Sequence, residues 1–250
     1  MKTVCVRLLL SCALLLIPAT VRASNGPDCS GLPTVGQLKT LLASAPTTGG
    51  SAGGLFLGQR MWGAVVNRNG EVCALAASNA DPTQVWPGSQ AIAKAKAYTA
   101  NAFSLDSLAL STARLYTFVQ PGHSLFGLNQ SNPFNPLALA SPFGQFGNEH
   151  SDAKDAKIAG GIITFGGGVP LYKNGKIVGG LGISGDTACT DHEIAKRVRT
   201  LASLDPPGGP SVDDIIYSSV DGASVFTHPL CLNTYRNGVS IGSEAAAVGY

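Results

Sequence analysis

The sequence predicts an α+β fold in which helices cover an antiparallel sheet. Two hairpin patterns carry this prediction, because each places an Asn-Gly pair between two apolar runs, and that pair favours a tight hairpin turn. The first hairpin covers residues 61–75 around Asn69-Gly70, and the second covers residues 169–178 around Asn174-Gly175. Each hairpin is followed by a loop and a helical pattern, so we expect two hairpins with returning helices.

Three helical patterns accompany the first hairpin and the segment after it. A short helix is predicted over residues 38–42, after Thr34, whose hydroxyl can cap a helix start. A longer one begins at Ser89 as its cap and runs to about Phe103, with alanines at helical spacing on one face. Another helix is predicted over residues 108–119.

The helix after the second hairpin begins at Thr190 or Asp191 and runs to about Arg199. Thr190 and Glu193 have the spacing of a capping box, in which each residue bonds the backbone of the other. A glycine-rich, side-chain-poor segment leads into this helix, so a ligand could lie there against bare backbone.

The remaining segments have weaker patterns. Residues 44–54 indicate a loop, residues 121–151 a long loop of the kind that often has a function, and residues 213–218 one more strand. Residues 239–250 indicate a flexible tail, which leaves residues 24–238 as a single domain with a C-terminal extension from about residue 205.

Residues 1–23 have the pattern of a cleavable signal peptide. Lys2 and Arg7 precede an apolar run over residues 8–17, and small residues stand at the two positions that a signal peptidase reads. A lipoprotein signal at Cys12 is the alternative, but it would divide the apolar run. We therefore expect a periplasmic or secreted protein.

The charge of the mature chain argues against a nucleic-acid binder. The whole chain has 17 basic and 15 acidic residues; removing Lys2, Arg7 and Arg22 leaves 14 against 15, a net charge of about −1. No basic cluster remains to neutralise phosphates. Charged residues make up only 13% of the chain, which fits either a surface buried in an oligomer or the neutral surface of a secreted protein.

Four cysteines follow the signal segment: Cys29, Cys73, Cys189 and Cys231. An even number in an exported chain favours two disulfides, for which three pairings are possible. We favour Cys189–Cys231, because that bond would tie the C-terminal extension to the central loop. The chain has no C-x-x-C pair among these residues, which argues against a zinc site built from the thiols.

The glycine-rich segment before the last helix matches two catalytic or cofactor motifs only superficially. Gly180, Gly182 and Gly185 spell G-x-G-x-x-G, but the preceding strand belongs to a tight hairpin, whereas a dinucleotide site needs a parallel βαβ unit. Ser184 and His192 are hydrolase residue types without the spacing of a nucleophile elbow. Adjacent residues on a helix also point about 100° apart, which disfavours a metal cluster over residues 191–193.

Two signatures resemble one known family. Residues of the alanine-rich helix fit the pattern A-x-x-K-A-x-T-A-x-x-F, and residues of the second hairpin and its helix fit a glycine-rich motif. The first set is Ala93, Lys96, Ala97, Thr99, Ala100 and Phe103; the second is Gly167, Gly168, Val169, Pro170, Gly175, Val178, Gly179, Gly182, Ser184, Gly185, Asp191, Ile194 and Ala195. Together they cover about residues 62–204, and the chain is similar there to the GlcG/HbpS haem-binding family, related to the PduO C-terminal domain.

The resemblance implies an antiparallel sheet of about five strands flanked by helices, assembled as dimers or larger rings. It implies haem or a related tetrapyrrole as the ligand, with haem degradation in some members and, in exported members, haem or redox sensing through a partner such as a membrane sensor. The first helix of some relatives carries a haem-ligating histidine, whereas residues 38–42 contain none.

From this resemblance we expect a porphyrin beside the glycine-rich segment, between Phe165, Val169, Ile183 and the alanine-rich helix. Lys94 or Lys96 would pair with the propionates, and His192 or His228 would bind the iron. The full set of expected ligand contacts is His192, His228, His123, Lys96, Phe165, Gly167, Gly168, Tyr172, Ser184 and Gly185.

The leading hypothesis is thus an exported haem-binding protein involved in haem sensing, sequestration or degradation. A non-catalytic, oligomeric sensor or partner module without haem chemistry is the alternative, and oxidative haem breakdown is the enzymatic one.

Overall fold

A computed structural model describes residues 28–136 and 158–247. The predicted signal segment, residues 137–151 of the predicted long loop and residues 248–250 of the predicted tail lie outside this description. The helices are α1 (Val35–Ser44), α2 (Ser89–Ala102), the short α3 (Leu128–Ser131), α4 (Ala188–Leu201) and the short α5 (Ser218–Asp221). The strands are β1 (Ser51–Gly53), β2 (Trp62–Asn67), β3 (Val72–Ala77), β4 (Gly168–Lys173), β5 (Lys176–Ser184), β6 (Ile216–Tyr217), β7 (Thr227–His228) and β8 (Thr234–Gly242).

The two predicted hairpins lie side by side in one antiparallel sheet, which confirms the fold class. The strand order is β3-β2-β5-β4, so the hairpins meet along β2 and β5. That junction pairs Trp62 with Ser184 and Asn67 with Gly179. The sheet has four strands rather than about five, and two separate two-stranded ribbons complete the described part of the chain.

Helices cover both faces of this sheet. On one face, α2 packs through Ala93 and Ala97 against side chains of β2 and β3 such as Trp62. On the other face, α1 and α4 pack through residues such as Leu38 and Ile194 in a second apolar cluster. Side chains alternate between the two faces of a strand, which is why neighbouring residues of β2 join different clusters.

The C-terminal extension is built into the domain. β8 pairs antiparallel with β1, and β6 pairs parallel with β7. The disulfides are Cys29–Cys73 and Cys189–Cys231, the second of which ties the extension to α4. Two disulfides are typical of an oxidising compartment.

A buried ion pair makes a further link between α4 and the extension. Arg199, which is 0% exposed, donates to both carboxylate oxygens of Asp213 at 2.7 and 2.8 Å. The tail prediction is wrong for residues 239–242, because they belong to β8.

Helix starts differ from two of the predictions. Thr187, not Thr190 or Asp191, caps α4, and its hydroxyl accepts from the Thr190 backbone N–H at 3.3 Å. Ser89 lies inside α2, after the N-cap Gly88. The capping prediction for α1 is confirmed, because Thr34 and Gln37 form a complete capping box.

Three other segments also differ locally. Residues 108–119 contain two 3-10 turns, Thr112–Leu115 and Thr117–Val119, in place of a helix. The predicted loop over residues 44–54 contains a 3-10 turn and β1. Of the strand predicted over residues 213–218, only the two residues of β6 are extended. No helix in the described ranges is both long and apolar enough to cross a membrane.

Candidate functional site

A buried ion pair lies beneath the glycine-rich bend between β5 and α4. The Lys96 Nζ atom is 2.7 Å from Asp191 Oδ2 and 3.0 Å from the carbonyl oxygen of Ile183. The two side chains are 0% and 2% exposed. Burial raises the pKa of Asp191 to about 6 and lowers the pKa of Lys96. Lys96 is therefore paired with Asp191 inside the protein and does not reach the surface, where a propionate would lie. Lys94 is buried as well.

The next residue that organises the bend is Asp186. Its carboxylate accepts the backbone N–H groups of Leu55 and Phe56 at 2.7 and 2.8 Å, and that of Gly58 at 3.4 Å. Its own backbone N–H donates to Asp191 Oδ1 at 2.9 Å. The bend is thus locked to the ion pair on one side and to the loop over residues 54–58 on the other.

That loop displays an apolar surface. Leu55, Leu57 and Trp86 are each about half exposed. The rings of Phe56 and Trp86 meet edge to face with their centroids 5.4 Å apart. Because the loop backbone is held by Asp186, these side chains form a fixed apolar patch, which we call the Leu55–Trp86 patch.

The slot predicted for a porphyrin is closed by the protein itself. A side chain on Gly182 would overlap the carbonyl group of Ala93, and one on Gly180 would overlap that of Ala97. These glycines let α2 lie directly on β5, and they leave no space between the two elements. The residues predicted to contact the ring are packed into the interior or against it: Val169, Ile183, Gly167, Gly168, Ser184 and Gly185 are buried, and Phe165 is half-buried with the Lys96 Nζ atom 4.9 Å from its ring centroid.

The two histidines predicted as iron ligands come together against Gly166, below the surface. The Gly166 backbone N–H donates to His228 Nε2 at 3.4 Å, and a side chain on Gly166 would approach the His192 Cβ atom to 3.1 Å. His228 Nδ1 lies 2.7 Å from the carbonyl oxygen of Pro229. His192 Nε2 lies 3.4 Å from Asp214 Oδ1. Burial lowers the pKa of His228 to about 4, so its ring is neutral at neutral pH.

The two other predicted ligands lie elsewhere. The Tyr172 hydroxyl donates to the carbonyl oxygens of Leu105 and Leu108 at 2.6 and 3.1 Å, and burial raises its pKa to about 12. His123 lies in the exposed segment 121–126. The structure thus unites His192 and His228 but separates them from Tyr172.

An open groove lies between α1 and the end of α4. Its volume is about 720 Å³, within the roughly 300–1,000 Å³ of small-molecule pockets. Apolar side chains dominate its walls, with two polar side chains from α1 among them. The lining residues are Gly31, Leu32, Pro33, Gly36, Gln37, Thr40, Leu41, Leu201, Ala202 and Leu204.

One cation and one disulfide border this groove. A side chain on Gly31 would lie 2.9 Å from Lys173 Nζ, which places that ammonium group at the rim. The Cys29–Cys73 bond fastens the segment before α1 to β3. The wall formed by residues 31–33 is therefore covalently anchored.

Sequence reasoning missed this groove, because its walls come from two segments that are far apart in the sequence, residues 31–41 and 201–204. Leu38 and Leu42 are buried on one face of α1, and Leu41 borders that face, half-buried against the core and also lining the groove. Leu201 is 41% exposed at the end of α4. Both side chains line the groove, and no local sequence pattern links them.

The chain is similar to several known proteins. It is 32% identical over 108 residues to the corrinoid adenosyltransferase PduO of Salmonella typhimurium, a match that covers 43% of this chain and 23% of that relative. The chain thus spans about a quarter of the length of this curated relative.

Two solved structures have weak likenesses. The Klebsiella pneumoniae protein ORFY is 21% identical, with a TM-score of 0.45 over 67% of this chain and 86% of that one. A structure described as a PduOC–haem complex is 24% identical, with a TM-score of 0.43 over 65% of this chain and 88% of that one.

The family model described as "Haem degrading protein HbpS-like" matches residues 51–199. These residues include the central sheet, α2 and nearly all of α4, and they are more than half of the chain. This chain is therefore a member of the HbpS-like family.

Proposed function

We propose that this protein binds haem or a related tetrapyrrole in the groove between α1 and α4, and that it sequesters this ligand outside the cytoplasm. The observation that carries the proposal is the groove, with its volume of about 720 Å³ and its mostly apolar walls. Family membership points to haem as the ligand class.

Burial of the ring would supply most of the binding free energy. Covering about 200 Å² of apolar porphyrin surface contributes roughly 5 kcal/mol at about 25 cal/mol per Å². Leu32, Leu41 and Leu201 are the larger apolar side chains available for this contact. The ring needs little rearrangement of the protein, because the groove is already open.

The propionates of a bound haem would extend toward the rim. Lys173 offers a cation there, beside Gly31. Its ammonium group is exposed, so we expect it to orient the ring and to add only a modest part of the affinity.

The residues that line the groove suit contact with the porphyrin ring, but they offer no strong ligand for the haem iron. Bound haem supplies redox chemistry at its iron, but the lining residues described for this groove include no histidine, cysteine, methionine or tyrosine. The polar side chains that line the groove from α1 are Gln37 and Thr40. The Gln37 side-chain oxygen already accepts the Thr34 backbone N–H at 2.9 Å. A site that holds haem through its ring, without a strong protein ligand, suits storage and transfer more than catalysis.

The proposal of export rests on two features. Residues 1–23 have a signal-peptide pattern. Both disulfides join segments more than 40 residues apart, and such bonds persist in oxidising compartments. Expression in Escherichia coli with and without residues 1–23, followed by fractionation and thiol labelling, tests this part.

Haemin titration of the mature protein tests the groove. A Thr40→Trp variant places an indole in the groove from an exposed position of α1. It should abolish the saturable Soret shift. Ala43→Trp is the matched control, because Ala43 is exposed on the same helix and is not a lining residue. Equal haemin affinity of the two variants would contradict the proposal.

The same complex separates sequestration from degradation. Incubation with ascorbate should leave the Soret band intact if the protein only stores haem. Bleaching of that band at a rate above that of free haemin would instead identify a haem-degrading enzyme.

A second candidate function, assembly as an oligomeric module, is favoured by the Leu55–Trp86 patch. Its side chains are exposed and fixed, which suits contact with another copy of the chain. Light scattering after size exclusion tests this: a Leu57→Glu variant should dissociate any oligomer. An unchanged mass would remove this candidate.

A further inference from the structure

Two short spacings in the sequence meet in the fold. Cys189 precedes His192 by three residues at the start of α4, and His228 precedes Cys231 by the same spacing in the extension. The ligand atoms of Cys189, His228 and Cys231 all lie within 4.8 Å of one another, and all three residues are buried. We propose that reduction of the Cys189–Cys231 disulfide converts this cluster into a binding site for a thiophilic divalent cation such as Zn²⁺, held by the two thiolates and His228.

The geometry suits a tetrahedral cation. Zinc binds thiolates at about 2.3 Å and imidazoles at about 2.0–2.1 Å, so two thiolate ligands stand about 3.8 Å apart around it. The present span of the three ligand atoms, within 4.8 Å, requires only side-chain rotations once the sulfur atoms are free. Three protein ligands leave the fourth position for water or another small donor.

The sulfur atoms have surroundings that favour thiolates. Cys189 is the second residue of α4, where the helix dipole stabilises negative charge. The Cys189 backbone N–H already donates to Cys231 Sγ at 3.1 Å. Both features lower the cost of deprotonating the pair.

A hydrogen bond at Nδ1 fixes the His228 ring so that Nε2 carries the lone pair. Its Nδ1 atom lies 2.7 Å from the Pro229 carbonyl oxygen, which accepts the Nδ1 proton and fixes the tautomer. The Nε2 lone pair accepts the Gly166 N–H at 3.4 Å, and binding of the cation exchanges this long hydrogen bond for a bond to the metal. A ring held in this way by a backbone carbonyl is the usual arrangement of a metal-binding histidine.

The chemistry balances with a dithiol as reductant. The reductant transfers two electrons and two protons, the bond between Cys189 and Cys231 breaks, two thiols form, and the reductant becomes a disulfide. Zn²⁺ then displaces the two thiol protons into solvent. The resulting centre has no net charge, because two thiolates balance one dication, and this suits a buried position.

The surface next to Cys231 gives the reductant a route. Pro229, Leu232 and Asn233 are exposed, so the segment that carries the buried sulfur is itself at the surface. The cation would then replace the covalent bond as the link between α4 and the extension. The link would persist in reducing surroundings and would depend there on metal supply.

Cobalt is the probe for this site. The mature protein is reduced with a phosphine, exchanged into anaerobic buffer and titrated with Co²⁺. We expect a thiolate-to-cobalt charge-transfer band and the intense visible bands of tetrahedral Co²⁺, saturating at one equivalent. The oxidised protein should show neither. The site lies apart from the α1–α4 groove, so failure of haem binding leaves this result unaffected.

Variants assign the ligands. Cys231→Ser should abolish the bands in the reduced protein, whereas Cys29→Ser, from the other disulfide, should keep them. His228→Gln should weaken cobalt binding by more than the roughly 10- to 100-fold that loss of an outer-shell partner costs, and should shift the visible bands. His123→Gln, in an exposed segment, is the matched control.

Two results overturn the proposal. One is a reduced protein with all thiols titratable that binds no Co²⁺; the other is an unchanged spectrum in His228→Gln. Circular dichroism detects any unfolding on reduction. If the reduced chain unfolds, Zn²⁺ should restore the native spectrum and raise the Tm of the reduced protein, and its failure to do so also overturns the proposal.

Discussion

Removing the amino group of Lys96 should destabilise the protein far more than removing an exposed lysine. In a Lys96→Met variant, the Asp191 carboxylate stays buried and keeps the Asp186 N–H at 2.9 Å, but it loses its counter-charge. Breaking a buried pair from one side costs about 3–5 kcal/mol. For a chain of this size that corresponds to a fall in Tm of about 6–20 °C.

The pH dependence of that loss identifies its cause. Without Lys96, burial raises the Asp191 pKa further above the ordinary value of 3.8, so the folded state binds a proton that the unfolded state releases. The free energy of unfolding of the variant should therefore fall as the pH rises above about 4. The deficit relative to wild type should be larger at pH 8 than at pH 5.

Urea unfolding of the oxidised, mature protein at these two pH values measures the effect. Lys176→Met is the matched control, because Lys176 makes a salt bridge of similar length, 2.8 Å to Asp106, with side chains 74% and 45% exposed. Such surface pairs contribute at most about 1 kcal/mol. Equal losses in the two variants, or a Lys96→Met deficit independent of pH, would refute the reasoning.

Three further predictions concern other parts of the fold. Folding lowers the pKa of His228 from 6.5 to about 4, so its stabilising contribution is present above pH 6.5 and is lost on acidification. Between pH 6.5 and pH 4, the free energy of unfolding should therefore fall by about 3 kcal/mol more in wild type than in His228→Gln. An equal fall in the two proteins, measured by urea unfolding, would contradict this. Replacing Cys29 and Cys73 with serine should cost about 2–4 kcal/mol and weaken haemin binding by loosening the groove wall; unchanged haemin affinity would argue against the wall's role. Gly182→Ala should destabilise the protein by about 1–3 kcal/mol or more, because the added methyl group would overlap a carbonyl group of α2. Gly36→Ala should stabilise α1 by about 0.5–1 kcal/mol, because no atom lies within 4 Å of the added methyl group. A higher Tm for Gly182→Ala than for Gly36→Ala would contradict the packing described here.

The parts of the fold that depend on local signals were predictable from sequence. The turns at Asn69-Gly70 and Asn174-Gly175 fall where the hairpin pattern places them, and Asn174 and Gly175 have the positive φ values, 51° and 75°, that such a turn needs. The alanine pattern of α2 and the capping box of Thr34 are local in the same sense. Each depends on residues only a few positions apart.

The failures are non-local. From the glycines of β5 we expected space for a ligand, but in the fold they allow α2 to pack directly on the strand. A single sequence does not show whether the space beside a glycine stays empty or is filled by a neighbouring element. The strand β8 pairs with β1 across more than 180 residues, which no local pattern reveals. The groove beside α1 was missed for the same reason, since its walls come from segments such as residues 31–41 and 201–204.

Arg199 sets a limit on how this protein can be shortened. It is the last residue of the span that matches the family model, yet the acid that neutralises it, Asp213, comes from beyond that span. An excised version that stopped at residue 199 would lose both acidic partners, Asp205 and Asp213, and would leave the guanidinium group without a counter-charge. The folded unit of this chain is accordingly longer than the span that matches its family.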